Sequence, residues 1–229
     1  MEIHFILVRP VVPENVGFVC RSIKNMGFSK LRVVGSDKHL RNGARHTAYE
    51  SREILEGIER FDSLDQAVKD MDLVIGTTGK KRKLRYQYLE ASKLNGFLEE
   101  RQASLEKVAI VFGSESDGMT TEEEKCCDML SSIPMAIEYP SINLSHSVMI
   151  YAYELSKLKL DMNTSKELPN ESKYKAFKDQ INSFLEIVEI GQRQPGFYQQ
   201  MRDKLLSMKP EDITLFMSAA RYLRNHIKK

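Results

Sequence analysis

Residues 138–154 read EYPSINLSHSVMIYAYE. A short polar turn up to Asn143 leads into a run with apolar residues at three- and four-residue steps. That spacing is typical of an amphipathic helix with one buried face. The side-chain oxygen of Ser141 or Asn143 suits the N-cap, where it accepts a hydrogen bond from a backbone N–H. Taken alone, the stretch is an ordinary capped helix, although the N–H groups at its start can also hold a ligand.

In two other stretches, a short apolar run leads into a polar turn. Ile3–Val8 leads into RPVVPENVGFVCRSIKNMGF (9–28), and Val108–Phe112 leads into GSESDGM (113–119). Short apolar runs of this kind are typical of buried strands. The segment after Ile3–Val8 has helical spacing and is followed by another apolar run, Leu31–Val34. This β-α-β pattern predicts an α/β fold with a parallel sheet covered by helices.

The three stretches carry the patterns N-x-G-x-x-x-R at 15–21, G-x-E-x-x-G at 113–118 and S-I-N-L-S at 141–145. In this order and at these separations they resemble the SpoU/TrmH branch of the SPOUT superfamily, the RNA ribose 2′-O-methyltransferases. Within that branch the chain is most similar to the TrmJ-type tRNA enzymes. The resemblance implies a deep trefoil knot, S-adenosylmethionine as methyl donor, and a homodimer with a shared active site. It also implies tRNA as the substrate, methylated at an anticodon-loop position.

The first motif implies a catalytic arginine, Arg21. If residues 15–26 are helical, Gly17 and Arg21 share a face at one turn's spacing, and Asn15 lies near the helix start. Glycine at that place permits the close approach of another chain segment or of the substrate. Because a guanidinium is hard to deprotonate, we expect Arg21 to grip a substrate phosphate rather than to take the proton.

The second and third motifs imply further polar residues of the active site. By resemblance, Glu115 holds active-site structure, and we expect it to be buried and paired, with Asp117 exposed. Ser141 is expected near the target ribose, and Asn143 is expected to brace the loop or the catalytic arginine. Alternatively, the acidic residues of the 113–118 segment belong to a solvent-exposed loop without a role in the site.

Cofactor contacts are implied at the ends of several predicted strands and at the turn before the last helix. The residues are Thr77, Thr78, Gly79, Gly113, Ile133, Ile142, Asn143 and Leu144. Backbone groups would bind at 77–79 and at Gly113, and the three apolar side chains would line an adenosine pocket.

One dense basic run follows, at 80–85, within a chain whose net charge is only +2. We expect it to face RNA phosphates, although a solvated charged surface is the alternative. The residues are Lys80, Lys81, Arg82, Lys83 and Arg85.

Composition limits the other possibilities. The chain has 229 residues, of which 41% are hydrophobic and 29% charged, as is ordinary for a globular protein. Three cysteines, two of them adjacent, make neither a disulfide framework nor zinc spacing, which fits a reducing cytoplasm without a metal site. No apolar run approaches the about 20 residues of a membrane span. The N-terminal apolar run lacks a preceding basic segment and is expected to be a strand rather than a signal peptide.

We expect a methyltransferase domain at 1–160, a polar linker at 161–172 and a helical extension at 173–229. Within the domain, residues 36–47 are expected to form a loop, 48–58 and 63–69 to be helical, and 89–101 to form another helix. A short strand is expected at Ser132–Met135.

Alternatives to a tRNA enzyme are a 2′-O-methyltransferase acting on rRNA and an RNA-binding protein that keeps the fold without catalysis. The full set of motif residues argues against the loss of catalysis. A dinucleotide-binding oxidoreductase would need G-x-G-x-x-G after the first strand, and Val8–Pro10 offers no glycine there.

Overall fold

A computed structural model describes residues 1–79, 88–137 and 142–158, together with isolated positions between 178 and 222. Within these residues, seven parallel strands form one sheet in the order β3-β2-β1-β6-β4-β7-β5. The strands are β1 (Glu2–Val8), β2 (Lys30–Val34), β3 (Glu59–Phe61), β4 (Leu73–Thr77), β5 (Leu89–Glu90), β6 (Lys107–Phe112) and β7 (Met129–Ser132). The predicted parallel α/β fold is confirmed.

Helices connect the strands. They are α1 (Pro13–Asn25), α2 (Asn42–Ala48), α3 (Arg52–Glu56), α4 (Leu64–Val68), α5 (Leu94–Glu99), α6 (Thr121–Lys125) and α7 (Leu144–Leu155). Short 3-10 turns occur at Lys38–Leu40, Tyr49–Ser51 and Ala91–Lys93. Ser63 caps α4, since its hydroxyl accepts a hydrogen bond from the Gln66 N–H.

Both faces of the sheet are covered, as the alternation along β1 shows. Phe5 and Leu7 lie in a buried cluster with the apolar faces of α1 and α7. Ile6 and Val8 point the other way, into a second buried cluster with α4. A central strand buried on both faces explains why β1 reads as a continuous apolar run rather than an alternating one.

Several predicted elements were wrong. Helix α2 forms where a loop was expected, β3 was not predicted, and the expected helix at 48–58 is a 3-10 turn followed by the shorter α3. The expected helix at 89–101 is a short strand, a 3-10 turn and α5. The strand expected at Ser132–Met135 lies three residues earlier, as β7. It was missed because its serines look polar, whereas Ser131 is fully buried and donates a hydrogen bond to the Leu89 carbonyl.

The C-terminal part contacts the domain at the positions that the structure describes. Lys178 donates a hydrogen bond to Asp128 at 2.9 Å, and Ile181 and Leu185 are buried in the same cluster as α1 and α7. The domain boundaries and the helical extension as a whole stay predictions. So does the knot, because residues 138–141 of its loop lie outside the described residues.

No helix in the described part of the chain has the length and apolar character needed to cross a membrane. The three cysteines, all within the described ranges, form no disulfide with one another.

Candidate active site

The carboxyl ends of three neighbouring strands carry the predicted cofactor residues. β6, β4 and β7 are adjacent, and Gly113, Thr78 and Ile133 directly follow them. The Thr78 N–H donates a hydrogen bond to the Ser131 carbonyl at 2.9 Å, which extends the pairing of β4 and β7 to this edge. Open α/β sheets bind ligands outside the carboxyl ends of their strands. The topology therefore gathers these residues on one edge of the sheet, the edge at which such folds bind ligands.

The loop after β6 is closed on itself. Ser114 and Gly118 exchange two backbone hydrogen bonds, of 3.2 and 2.9 Å between nitrogen and oxygen. A Cβ at Gly113 would lie 2.3 Å from the Gly118 carbonyl carbon, which no real side chain tolerates. Gly118 has a φ of +73°, in the left-handed region that favours glycine. Both glycines of the second motif are thus required by the shape of the loop.

Glu115 joins this loop to the start of α1. Its carboxylate accepts hydrogen bonds from the Val11 N–H at 2.8 Å, the Val12 N–H at 3.3 Å and Asn15 Nδ2 at 3.0 Å. The Glu115 side chain is half-buried and Asp117 is exposed. Glu115 is therefore paired as expected, although it is less buried than expected.

Asn15 and Asn143 carry the connection on to α7. Asn15 is only 7% exposed, and its Oδ1 accepts a hydrogen bond from Asn143 Nδ2 at 3.1 Å. Asn143 Oδ1 in turn accepts from the Ser145 N–H and hydroxyl, at 2.9 and 2.8 Å. A carboxylate only accepts, so Glu115 fixes which way both amides point. Asn143 is the N-cap of α7, and the three motifs meet in one chain of hydrogen bonds.

Arg21 stands apart from this network. It is exposed on α1, and within the described ranges no hydrogen bond or ion pair involves its side chain. Gly17, one turn earlier, faces α2: a Cβ there would lie 2.0 Å from Thr47 Oγ1 and 2.3 Å from the Ala44 carbonyl oxygen. Of the two expected uses of this glycine, the structure shows the close approach of another chain segment.

The uncharged groups at the strand ends suit a neutral nucleoside. Thr77, Thr78, Ile133 and Ile142 are half-buried, Gly79 is exposed and Leu144 is buried. Apart from its chain neighbours, no atom of the described residues lies within 4 Å of where a Cβ at Gly79 would be. Backbone polar groups beside apolar side chains are the mixture expected of a cofactor pocket. S-adenosylmethionine, whose adenosine is neutral, fits this set of residues.

Some predicted residues lie outside the described part of the chain. They are Ser141 and the basic residues Lys80, Lys81, Arg82, Lys83 and Arg85. Their roles stay predictions. The described part contains no group of three or more His, Cys, Asp or Glu residues placed to hold a metal ion.

Sequence reasoning missed one pair beside the site, Arg9 and Glu123. Arg9 Nε and Nη2 donate to the two carboxylate oxygens of Glu123, each at 2.9 Å, and Nη2 also donates to the Gly118 carbonyl at 3.2 Å. The spacing of Thr120 and Glu123 is that of a capping box, which the structure shows at the start of α6. That signal could have located Glu123, but nothing in the sequence pointed to Arg9 as its partner.

The model of the SpoU rRNA Methylase family matches residues 2–153. This chain belongs to the SpoU rRNA methylase family. The predicted family is therefore confirmed, and the matched region contains all three motifs.

Named relatives agree with this assignment. A protein of Escherichia coli named as an uncharacterised tRNA/rRNA methyltransferase, LasT, is 39% identical over 69% of this chain and 69% of its own. The tRNA (cytidine/uridine-2′-O-)-methyltransferase TrmJ of Pectobacterium atrosepticum is 32% identical over 86% of this chain and 81% of its own. The crystal structure of TrmJ from Z. mobilis superposes with a TM-score of 0.66 at 25% identity, covering 98% of this chain and 100% of that one.

Proposed function

We propose that this protein transfers a methyl group from S-adenosylmethionine to a ribose 2′-hydroxyl of tRNA. The observation that carries the proposal is the hydrogen-bonded chain from Glu115 through Asn15 to Asn143. It ties all three family motifs together at the ligand-binding edge of the sheet. The P. atrosepticum relative, named as a tRNA 2′-O-methyltransferase, supports tRNA as the substrate. We also propose that the enzyme is cytoplasmic and that it methylates a ribose in the anticodon loop.

Positioning is the main task of the protein in this reaction. S-adenosylmethionine supplies a methyl group on a sulfonium, which is already a good leaving group. The backbone at 77–79 and Gly113, with Ile133, Ile142 and Leu144, would hold the adenosine part at the strand ends. Asn143 fixes the start of α7, and Ser141 just before it would meet the ribose. Holding two reactants in line contributes several kcal/mol, on the order of 7–11 in well-oriented cases.

Arg21 would grip a phosphate next to the reacting hydroxyl, so that the phosphate or a solvent path takes the proton. A bidentate guanidinium suits a phosphate, and it does not deprotonate at neutral pH. The exposure of Arg21, away from the Asn15 network, is compatible with a role across a dimer interface. We propose a homodimer in which Arg21 of one subunit completes the site of the other, and an RNA-binding arm at 80–85.

Methyl transfer to defined RNA tests this function. The purified protein is incubated with S-adenosylmethionine and either tRNA or rRNA from cells that lack the gene, and 2′-O-methylation is mapped by mass spectrometry. A new methylated ribose in the tRNA anticodon loop supports the proposal. Methylation of rRNA alone would identify a different substrate, and cofactor binding without methylation of any RNA would identify a non-catalytic binding protein.

A further inference from the structure

Two segments at the active-site edge are joined by hydrogen bonds that all run from the first segment to the second. The first is the chain that leaves β1 at Arg9 and enters α1, and the second is the 113–118 loop after β6. Arg9 donates to the Gly118 carbonyl, and the N–H groups of Val11 and Val12 donate to the carboxylate of Glu115. The first segment leads to Asn15 and Arg21, and the second carries the proposed cofactor contact at Gly113.

Arg9 also forms an ion pair with Glu123 through two parallel hydrogen bonds. Glu123 belongs to α6, which follows the loop, and its side chain is only 16% exposed. Burial raises the pKa of Glu123, but the bonds from Arg9 and from Thr120 outweigh it and hold that pKa below its usual value. The pair is therefore charged at neutral pH, and a fork of two N–H groups fixes its geometry as well as its strength.

The backbone at Arg9 is held in an unusual conformation. Arg9 has a φ of +50°, in the left-handed region that residues with a Cβ rarely adopt. Its N–H donates to the Val34 carbonyl at 2.8 Å, which fixes the bend where the chain leaves β1. A glycine would adopt this φ more easily but could not reach Glu123. Strained residues that persist beside a site are a sign that the side chain has a role there.

We propose that Arg9 is a positioning residue for the methyl transfer, because it holds the 113–118 loop and α6 in register with the start of α1. Without it, Glu115 would be the main remaining tie between the loop and Val11–Val12. The cofactor contact at Gly113 and the catalytic side at Asn15 would then move relative to each other. This inference rests on the proposed function for its catalytic consequence, but the coupling between the two segments can be measured without it.

The test compares Arg9→Met and Glu123→Gln with the parent protein. Gln at 123 can still accept from the Thr120 N–H, so the capping box is retained. Amide hydrogen exchange of Val11 and Val12 should become at least about fivefold faster in Glu123→Gln, since local openings set these rates. That residue lies more than a hundred positions from both amides in sequence, and both amides donate to Glu115 instead. The maximal rate of methyl transfer should fall by roughly ten- to a hundredfold, the scale of a displacement of about 1 Å, with the KM for tRNA unchanged.

Thr120→Ala is the control, because it removes the hydroxyl that caps α6 and leaves Arg9 and Glu123 in place. It should lower the melting temperature while leaving Val11 and Val12 exchange and the rate of the folded enzyme unchanged. The double variant Arg9→Met/Glu123→Gln should lose no more rate than either single variant, as expected for one interaction.

Unchanged exchange at Val11 and Val12 in Glu123→Gln would overturn the inference. So would a loss of melting temperature equal to that of Thr120→Ala with a normal maximal rate, since that is the result of a purely structural pair. If the parent protein methylates no RNA, the proposed function fails, but the exchange result still decides whether the Arg9–Glu123 pair couples the two segments.

Discussion

At the scale of single residues, Asn15 is the connection on which the site depends. Both polar atoms of its amide are used, one toward Glu115 and one toward Asn143. An asparagine is needed because one neighbour can only accept and the other donates. Aspartate has nearly the same shape but no donor and a negative charge. A substitution by aspartate therefore tests the effect of the charge without a change in side-chain size.

Asn15→Asp should place two carboxylates about 3 Å apart and destabilise the protein by about 1–3 kcal/mol at pH 8. Repulsion would raise one of the two folded-state pKa values above its unfolded value. The deficit should then be largest above that folded pKa and should shrink as the pH falls toward 4. Urea unfolding at pH 5 and pH 8 measures it, with the exposed Asn42→Asp as control. An equal deficit at both pH values would contradict the charge argument.

Arg21→Ala should reduce methyl transfer by at least about a hundredfold, the scale of losing one preorganised charged group. Cofactor affinity by calorimetry should change little, because Arg21 lies on α1 and outside the strand-end residues. Arg21→Lys keeps the positive charge but loses the paired N–H donors of the guanidinium, and it should recover only a small part of the rate. The matched control is Arg60→Ala, an exposed arginine in β3 at the far edge of the sheet. Near-normal turnover of Arg21→Ala would remove this residue from the mechanism.

At the scale of elements, the close packing of α1 on α2 depends on Gly17. Gly17→Ala would push its Cβ into the Thr47 hydroxyl and the Ala44 carbonyl. Because the obstacle includes backbone, the helices must separate, and we expect a loss of about 1–3 kcal/mol.

Gly96→Ala in α5 is the matched control, since the added Cβ would have no atom of another described element within 4 Å. Alanine is the better helix former, so this variant should gain up to about 1 kcal/mol. Thermal unfolding of both variants measures the contrast. If Gly17→Ala were as stable as Gly96→Ala, the close contact between α1 and α2 would be wrong.

The contact between Gly17 and α2 also shows why some elements could be predicted from the sequence and others could not. β1, α1, β6 and α7 have long apolar patterns, and all were located within about two residues. Helix α2 has only two buried alanines, Ala44 and Ala48, in a segment of polar residues. Its packing against Gly17 stabilises it, and a single sequence does not display such a tertiary contact.

At the scale of the whole molecule, the motif residues could be predicted and their links could not. Asn15, Glu115 and Asn143 were identified from pattern, but the hydrogen bonds among them join positions 100 and 128 residues apart. Arg9 and Lys178 were missed for the same reason, since their partners Glu123 and Asp128 lie 114 and 50 residues away in the sequence. Pairing over such separations is set by the strand order of the sheet.

The proposed dimer makes a separate prediction about subunits. Val11, Val12 and Phe18 expose 48%, 38% and 41% of their surface around the start of α1, an apolar patch suited to a two-fold contact. Light scattering should give about twice the chain mass of 26.4 kDa. Phe18→Asp should produce a monomer that still binds S-adenosylmethionine but has lost methyl transfer.

Mixing two inactive variants tests the shared site directly. If Arg21 of one subunit serves the strand-end pocket of the other, a heterodimer of Arg21→Ala and Asn143→Ala subunits contains one site with both residues intact. Refolding equal amounts together makes half of the dimers mixed, each with one working site of two. The mixture should therefore recover about a quarter of the parent activity, by the statistics of random pairing of two-fold dimers. If both residues act within one subunit, every site in the mixture carries one substitution or the other, and no activity returns. The stoichiometry of recovery thus distinguishes a shared site from a dimer that only stabilises its subunits.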